Sequence, residues 1–305
     1  MSAALNNPPR TTATARDRRR CYHRPVIVDF HTHVFPPEVV SERERYLAAD
    51  TTFRELYGDP KAKLATAEDL LRSMERAGVD SSVVLGFAWS EPSTCSRHND
   101  YLLEVAAKSG GGLIPFCTVQ PMAGEAAEAE VDRCAGAGAR GLGELRPRNQ
   151  GFSLTEGEEG ALLARAAVRH DLPLLFHVSE PVGHAYPGKR GLPLAELTSF
   201  AGRWPDVRVV AAHLGGGLPF YTLMPEVRKA LANTCFDTAA TSLLYEPAVY
   251  RLAVDLVGAD RVLFGSDFPL LSQATSRRRV EEAGLDARER ELVLGANARQ
   301  LLGLG

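Results

Sequence analysis

The chain has 305 residues, 45% of them hydrophobic and 24% charged, with a formal net charge of −3. That composition suits a globular protein with room for one large α/β barrel or two ordinary domains, and it excludes a broad attraction to nucleic acid. No run of about eighteen apolar residues offers a membrane span, and five scattered cysteines (Cys21, Cys95, Cys117, Cys134, Cys235) with no CxxC pair point to a reduced, cytoplasmic setting.

Residues 1–24 are polar and basic, lack the apolar stretch of a secretory signal, and read as a flexible arm. The first apolar run, "VIVDFHTH" (26–33), ends in two histidines one residue apart. Alternate side chains of a strand share a face, so His31 and His33 project together with Asp29 behind them. Asp29 then either orients a ligand imidazole or is a salt-bridged core carboxylate.

The longest gap follows, at about 34–65, and is expected to form a helical excursion over the mouth of the fold, with "SERERY" as a solvated helix face. At 66–78 Thr66 caps a helix whose Leu70, Leu71, Met74 and Ala77 share one face and which Gly78 ends.

Strand-like runs then recur at 81–89, 113–121, 139–147, 172–180, 207–216, 234–240 and 261–269. Helical patterns separate them at 99–110, 125–138, 159–171, 194–205, 224–233 and 246–258. Eight parallel strands joined by helical crossovers close into a single (β/α)8 TIM barrel over 25–305, which leaves no edge strand. An open doubly wound sheet is the rival, but it uses a glycine-rich turn after its first strand, where this chain has histidines and Phe35-Pro36-Pro37.

Barrel enzymes place their chemistry at the C-terminal ends of the strands. Glu144, His177, His213 and Asp267 fall near the ends of the fourth, fifth, sixth and eighth runs. Each alone reads as a hydrogen-bonded core residue; their agreement points to one shared site.

The combination of "HTH", "LLFHVSEPVGHAYPGK", "VVAAHLGGGLPFY" and "LFGSDFPL" resembles the amidohydrolase superfamily. Within it, the similarity is to the amidohydrolase-related branch, which holds aminocarboxymuconate semialdehyde decarboxylase, resorcylate-type decarboxylases and lactonases. The resemblance covers roughly residues 26–303. It implies that His31, His33, His177 and Asp267 hold a metal, with Asp267 also handling a proton. It implies an acid/base or polarising role for His213, or a place on a second ion. Glu144 departs from the carboxylated lysine that bridges two metals in many relatives. A glutamate bridges as well, so two ions stay open while one is preferred.

Three neutral imidazoles and a carboxylate form a mixed N/O set that suits Zn²⁺ and tolerates Mn²⁺, Fe²⁺ or Co²⁺. Such an ion lowers the pKa of bound water to about 7, Asp267 accepts the proton, and His213 stabilises the developing oxyanion. The leading expectation is therefore a metal-dependent hydrolase that cleaves a C–N or C–O bond. A nonoxidative decarboxylase on the same scaffold is the alternative, and an inactive barrel acting as a binding subunit is the second. Some decarboxylases of the branch carry glutamate in place of the first histidine, so His31 tilts the reading toward hydrolysis.

The substrate is expected to be small and anionic, met by Arg146 and by His184, Tyr186, Lys189 and Arg190 of the loop after the fifth strand. The bland reading leaves the loop cations in solvent and pairs Arg146 with Glu144. Trp89 and Phe87 either wall the pocket or pack beneath a loop. "GGGLPFYTLMPE" (215–226) is a candidate homodimer face.

Overall fold

A computed structural model describes residues 25–189 and 191–304; the basic arm at 1–24 and Arg190 lie outside the described residues. Eight parallel strands form one sheet in the order of the sequence: β1 (Val28–His33), β2 (Ser81–Leu85), β3 (Leu113–Cys117), β4 (Gly141–Leu145), β5 (Leu174–Phe176), β6 (Val209–Ala211), β7 (Thr234–Asp237) and β8 (Val262–Leu263). Backbone bonds from Phe30 N to Phe264 O (2.7 Å), Asp267 N to His31 O (2.9 Å) and His33 N to Phe268 O (2.7 Å) join the last strand to the first. The expected (β/α)8 barrel is what forms.

The strand-like runs are longer than the strands because their C-terminal residues leave the ladder to line the mouth. His177, His213 and Asp267 all lie just past β5, β6 and β8. Alternation along the strands makes two apolar layers. Phe30, Val83, Leu85, Ile114, Phe116, Leu175, Val210 and Leu263 fill the barrel, and Ala298 and Leu302 close its floor. Val84, Leu142, Phe176, Val209 and Phe236 face outward against Leu70, Leu102, Val131, Leu163 and Phe200.

The helices are α1 (Pro37–Ser41), α2 (Arg43–Ala49), α3 (Thr51–Tyr57), α4 (Ala67–Ala77), α5 (Pro92–Lys108), α6 (Glu125–Gly136), α7 (Pro147–Gln150), α8 (Glu159–His170), α9 (Leu194–Arg203), α10 (Leu218–Tyr221), α11 (Pro225–Ala230), α12 (Val249–Val257), α13 (Gln273–Glu281), α14 (Ala287–Glu291) and α15 (Asn297–Leu301). α4 starts with a reciprocal cap between Thr66 and Asp69 and stops at Gly78, whose φ is +63°. Its buried face is Ala67, Leu70, Ser73, Met74 and Ala77, whereas Leu71 is 39% exposed. Leu71 lies about 100° round the helix from Leu70, off the stripe. α13 escaped the sequence pattern because "QATSRRRVE" has almost no apolar periodicity.

The insertion after β1 forms α1, α2 and α3. Phe35, Tyr46, Phe53, Phe87 and Trp89 make a separate aromatic core beneath it. Arg43, expected on a solvated face, instead donates from its guanidinium to the carbonyls of Tyr57, Asp59 (2.6 Å) and Ala62 (3.1 Å). Those carbonyls end α3 and begin the loop after it, so this arginine fastens the insertion.

Candidate active site

Between the paired positions Asp29–Ser82 and Thr32–Val84, β1 holds one residue more than β2. An extra residue reverses the alternation beyond it. His31 and His33 therefore both face the mouth, while Asp29 turns toward α13. Its carboxylate accepts from Ser266 N (2.9 Å), Ser266 Oγ (2.5 Å) and Gln273 Nε2 (2.9 Å). Burial outweighs these bonds and raises the Asp29 carboxyl to about 6. Asp29 thus braces the turn that carries Asp267 and does not orient an imidazole, because the bulge moves it to the other side of the sheet.

Asp237, at the end of β7, orients the imidazole instead. Its Oδ2 accepts from His31 Nδ1 at 2.8 Å, and its Oδ1 accepts from the backbone N–H of His213 (2.9 Å) and Ala239 (3.0 Å). His213 opens a left-handed turn in which Leu214, Gly215 and Gly216 also have φ between +51° and +59°. At Gly216 a Cβ would lie 2.5 Å from the Ser179 carbonyl, so only glycine lets the loops after β5 and β6 meet.

Three imidazoles share one design. His31 donates its outer nitrogen to Asp237, His213 donates Nδ1–H to the Ala239 carbonyl (3.0 Å), and His177 donates Nε2–H to the Gly188 carbonyl (2.9 Å). Each outer acceptor fixes the tautomer of the neutral ring, whose inner nitrogen then carries the lone pair. His31 Nε2 is 3.1 Å from His33 Nε2, and His213 Nε2 is 3.1 Å from His177 Nδ1. Glu144 lies between the pairs, with Oε1 2.8 Å from His177 Nδ1, 3.4 Å from His213 Nε2 and 3.8 Å from His31 Nε2. Asp267 Oδ1 is 3.4 Å from His33 Nε2 and 3.7 Å from His31 Nε2.

Inner lone pairs facing one another beside two carboxylates are a donor set for a cation, and the residues fit a divalent ion. The ligating atoms of His31, His33 and Glu144 lie within 4.8 Å of one another, as do those of His31, His213 and Asp267, and those of Glu144, His177 and His213.

Charge is handled within this small volume. Burial would raise the Glu144 carboxyl, but the guanidinium of Arg146 and the imidazole of His177 hold it well below the usual carboxylate range. Burial would likewise raise Asp267, but the bond from His33 and the charges of His31 and His213 hold it far down. Burial, joined by the charge of Arg146, lowers His177 to about 4. Burial opposes charge on His31 too, yet Asp237 prevails and raises it to about 10 when no cation is bound. Arg146 donates from Nε to Glu144 Oε2 (3.3 Å) and from Nη2 to His177 Nδ1 (3.0 Å), while its buried Nη1 finds no partner among the described residues.

His31, His33, Glu144, Arg146, His177, His213 and Asp267 are therefore brought together. Trp89 is not among them: it is 1% exposed, and its indole N–H donates to His98 Nδ1 at 3.1 Å inside the aromatic core. His184, Tyr186 and Lys189 line a neighbouring cavity of about 330 Å³ with Glu180, Phe220 and Tyr245. Lys189 Nζ is spent on the carbonyls of Val182, Gly183 and His184 (2.6 to 2.8 Å), and the Tyr186 hydroxyl donates to Glu180 (2.9 Å).

Sequence reasoning missed Asp237, although "CFDTAA" carried the same strand-end signal as the other site residues. It also missed Tyr57 on α3. The Tyr57 phenol is raised by burial and then by the charge of Asp267, with Arg146 and Glu144 also near. Its aromatic neighbours alone would mark it as core.

A closed parallel barrel with an imidazole–carboxylate centre in its C-terminal mouth defines a class of metal-dependent enzyme scaffold. A family model described as Amidohydrolase matches residues 28–304, and the chain belongs to that family. Solved structures share the fold. The 5-carboxyvanillate decarboxylase of Sphingomonas paucimobilis superposes with a TM-score of 0.74 at 17% identity, covering 92% of this chain and all (100%) of that one. The 2,6-dihydroxybenzoate decarboxylase from Rhizobium gives 0.70 at 18%, covering 92% and 99%. The 5-carboxyvanillate decarboxylase of Novosphingobium aromaticivorans, complexed with manganese and 4-hydroxy-3-methoxy-5-nitrobenzoic acid, gives 0.73 at 19%, covering 92% and 96%. No helix among the described residues is long and apolar enough to cross a membrane.

Proposed function

We propose that this chain is a metal-dependent nonoxidative decarboxylase of a small carboxylated aromatic or enolic acid. The hydrolase expectation gives way to its alternative because similar solved structures are decarboxylases. The observation that carries the reading is Arg146, a buried guanidinium with an unpaired Nη1 beside the donor cluster. Arg146 and a dication would offset the carboxylates of Glu144, Asp267 and Asp237, and the open Nη1 donor suits a substrate carboxylate.

His31, His33, His177 and Asp267 are proposed to hold the ion, with Glu144 beside them. A divalent ion such as Mn²⁺ or Zn²⁺ held by these residues would supply positive charge against the substrate's anionic groups. Arg146 donates Nη1–H to the substrate carboxylate. The side chains of His31, His33, Glu144 and Asp267 are at most 12% exposed, so water is largely excluded and the shift of charge from the substrate carboxylate onto the carbon that CO₂ leaves is favoured. The carbon that loses CO₂ must gain a proton. His213 delivers it from Nε2, since Ala239 holds the other nitrogen and Glu144 stabilises the charged ring.

Incubating the metal-loaded chain with 2,6-dihydroxybenzoate, 5-carboxyvanillate and related ortho-hydroxy acids tests this through CO₂ release. Cleavage of an amide or lactone panel without CO₂ release would return the reading to hydrolysis. The homodimer face proposed at residues 215–226 keeps Tyr221, Leu223 and Met224 exposed, and light scattering decides it.

A further inference from the structure

The geometry points to Glu55 as a positioning residue that, through Gly188, keeps the His177 imidazole turned toward the metal-binding cluster. The inference rests on the ligand role proposed for His177.

The chain of contacts is short. Glu55 Oε1, on the insertion helix α3, accepts the Gly188 N–H at 3.1 Å, and the Gly188 carbonyl accepts from His177 Nε2 at 2.9 Å. One peptide residue thus ties the insertion to a ligand imidazole. Ser179 Oγ lies 3.1 Å from the same Nε2 and 3.4 Å from the Gly188 carbonyl, so both hold the outer side of the ring. Turning the ring over would put the wrong nitrogen inward and remove a lone pair from the cluster.

Gly188 is confined from both sides. Its φ is +85°, and a Cβ there would lie 2.6 Å from Leu56 Cδ2 and 3.5 Å from Arg146 Nη1. Only glycine lets this loop pass between the insertion and the site. α3 is itself anchored at each end. Asp50 caps it through Phe53 N (2.8 Å) while accepting from Ser90 N (2.9 Å) and Ser90 Oγ (2.7 Å), and Arg43 Nε donates to the Tyr57 carbonyl at 3.0 Å. Glu55 therefore reaches the β5 loop from a fixed support, and a seated insertion and a correctly presented His177 are one event.

The test is chelator competition for Mn²⁺ and Zn²⁺ with the full chain, alongside thermal melting of the metal-free protein. Glu55→Gln keeps an acceptor oxygen and is expected to stay within about twofold of wild-type affinity, whereas Glu55→Ala weakens binding about 3- to 10-fold. Melting of the metal-free Glu55→Ala chain is expected to change little, because Glu55 is exposed. Gly188→Ala, which strains a backbone held at φ +85°, is expected to cost about 10- to 100-fold in affinity. Wild-type affinity in Glu55→Ala, or equal losses in the Gln and Ala variants, overturns the inference and leaves the metal site standing. A wild-type chain that binds neither ion overturns the ligand reading and this inference with it.

Discussion

Asp237→Asn changes one buried atom from acceptor to donor while keeping the shape of the side chain. The amide oxygen still accepts from the backbone N–H of His213 and Ala239, now at 2.9 and 3.0 Å from Oδ1, so Nδ2 must face His31 Nδ1, now 2.8 Å from Oδ2. Two donors cannot meet, and His31 answers by moving its proton to Nε2. That nitrogen loses the lone pair it directs at the cluster. Losing a charge-assisted hydrogen bond costs about 1.5–3 kcal/mol of stability, and removing an outer partner of a ligand costs about 10- to 100-fold in metal affinity. The two effects are read by melting of the metal-free chain and by chelator competition. Asp237→Ala is expected to destabilise more, because two buried N–H groups are then left unpaired. Metal affinity within about twofold of wild type in Asp237→Asn would refute the reasoning, since the tautomer of His31 would then not matter.

Arg146→Met is expected to raise KM for a carboxylate substrate about 10- to 100-fold; an unaltered KM would remove the arginine from recognition. Tyr57→Phe deletes only a hydroxyl whose pKa is raised by burial and by the charge of Asp267, and a fall of about tenfold in kcat/KM without a change in melting is expected if the phenol meets substrate. His98 is buried, its pKa lowered to about 4 from 6.5, so the folded state binds fewer protons than the unfolded one between those values. Its neutral ring accordingly contributes about 3 kcal/mol above pH 6.5, lost as pH falls toward 4, and His98→Gln should flatten that acid limb of a stability profile. Dialysis against chelator is expected to abolish turnover and lower the melting temperature, both restored by Mn²⁺ or Zn²⁺; turnover that survives full metal removal would refute a metal-dependent reaction.

The barrel was readable because its strands are short β-branched runs at regular spacing. The polar cluster was readable because a parallel barrel sends every strand end to the same mouth. What escaped depended on contacts between distant segments. The bulge in β1 is set by how two residues, Phe30 and His31, face one, Val83, on β2, and nothing in "VDFHTH" announces it, so Asp29 was assigned to the wrong side. Asp237 ends its strand as clearly as Asp267 does, but its role appears only when β7 lies beside His31 and His213. Trp89 and Tyr57 are both aromatics near the mouth. Trp89 gives its indole N–H to His98 within the aromatic core, whereas the Tyr57 phenol feels the charge of Asp267, a difference fixed by the seating of α3 and by its tether at Arg43.

Anomalous diffraction from metal-loaded crystals tests the site most directly. One peak is expected in the barrel mouth, in bonding contact with His31 Nε2, His33 Nε2, His177 Nδ1 and Asp267. A fully metal-loaded crystal whose peak lies elsewhere, with those nitrogens still facing one another, would contradict it.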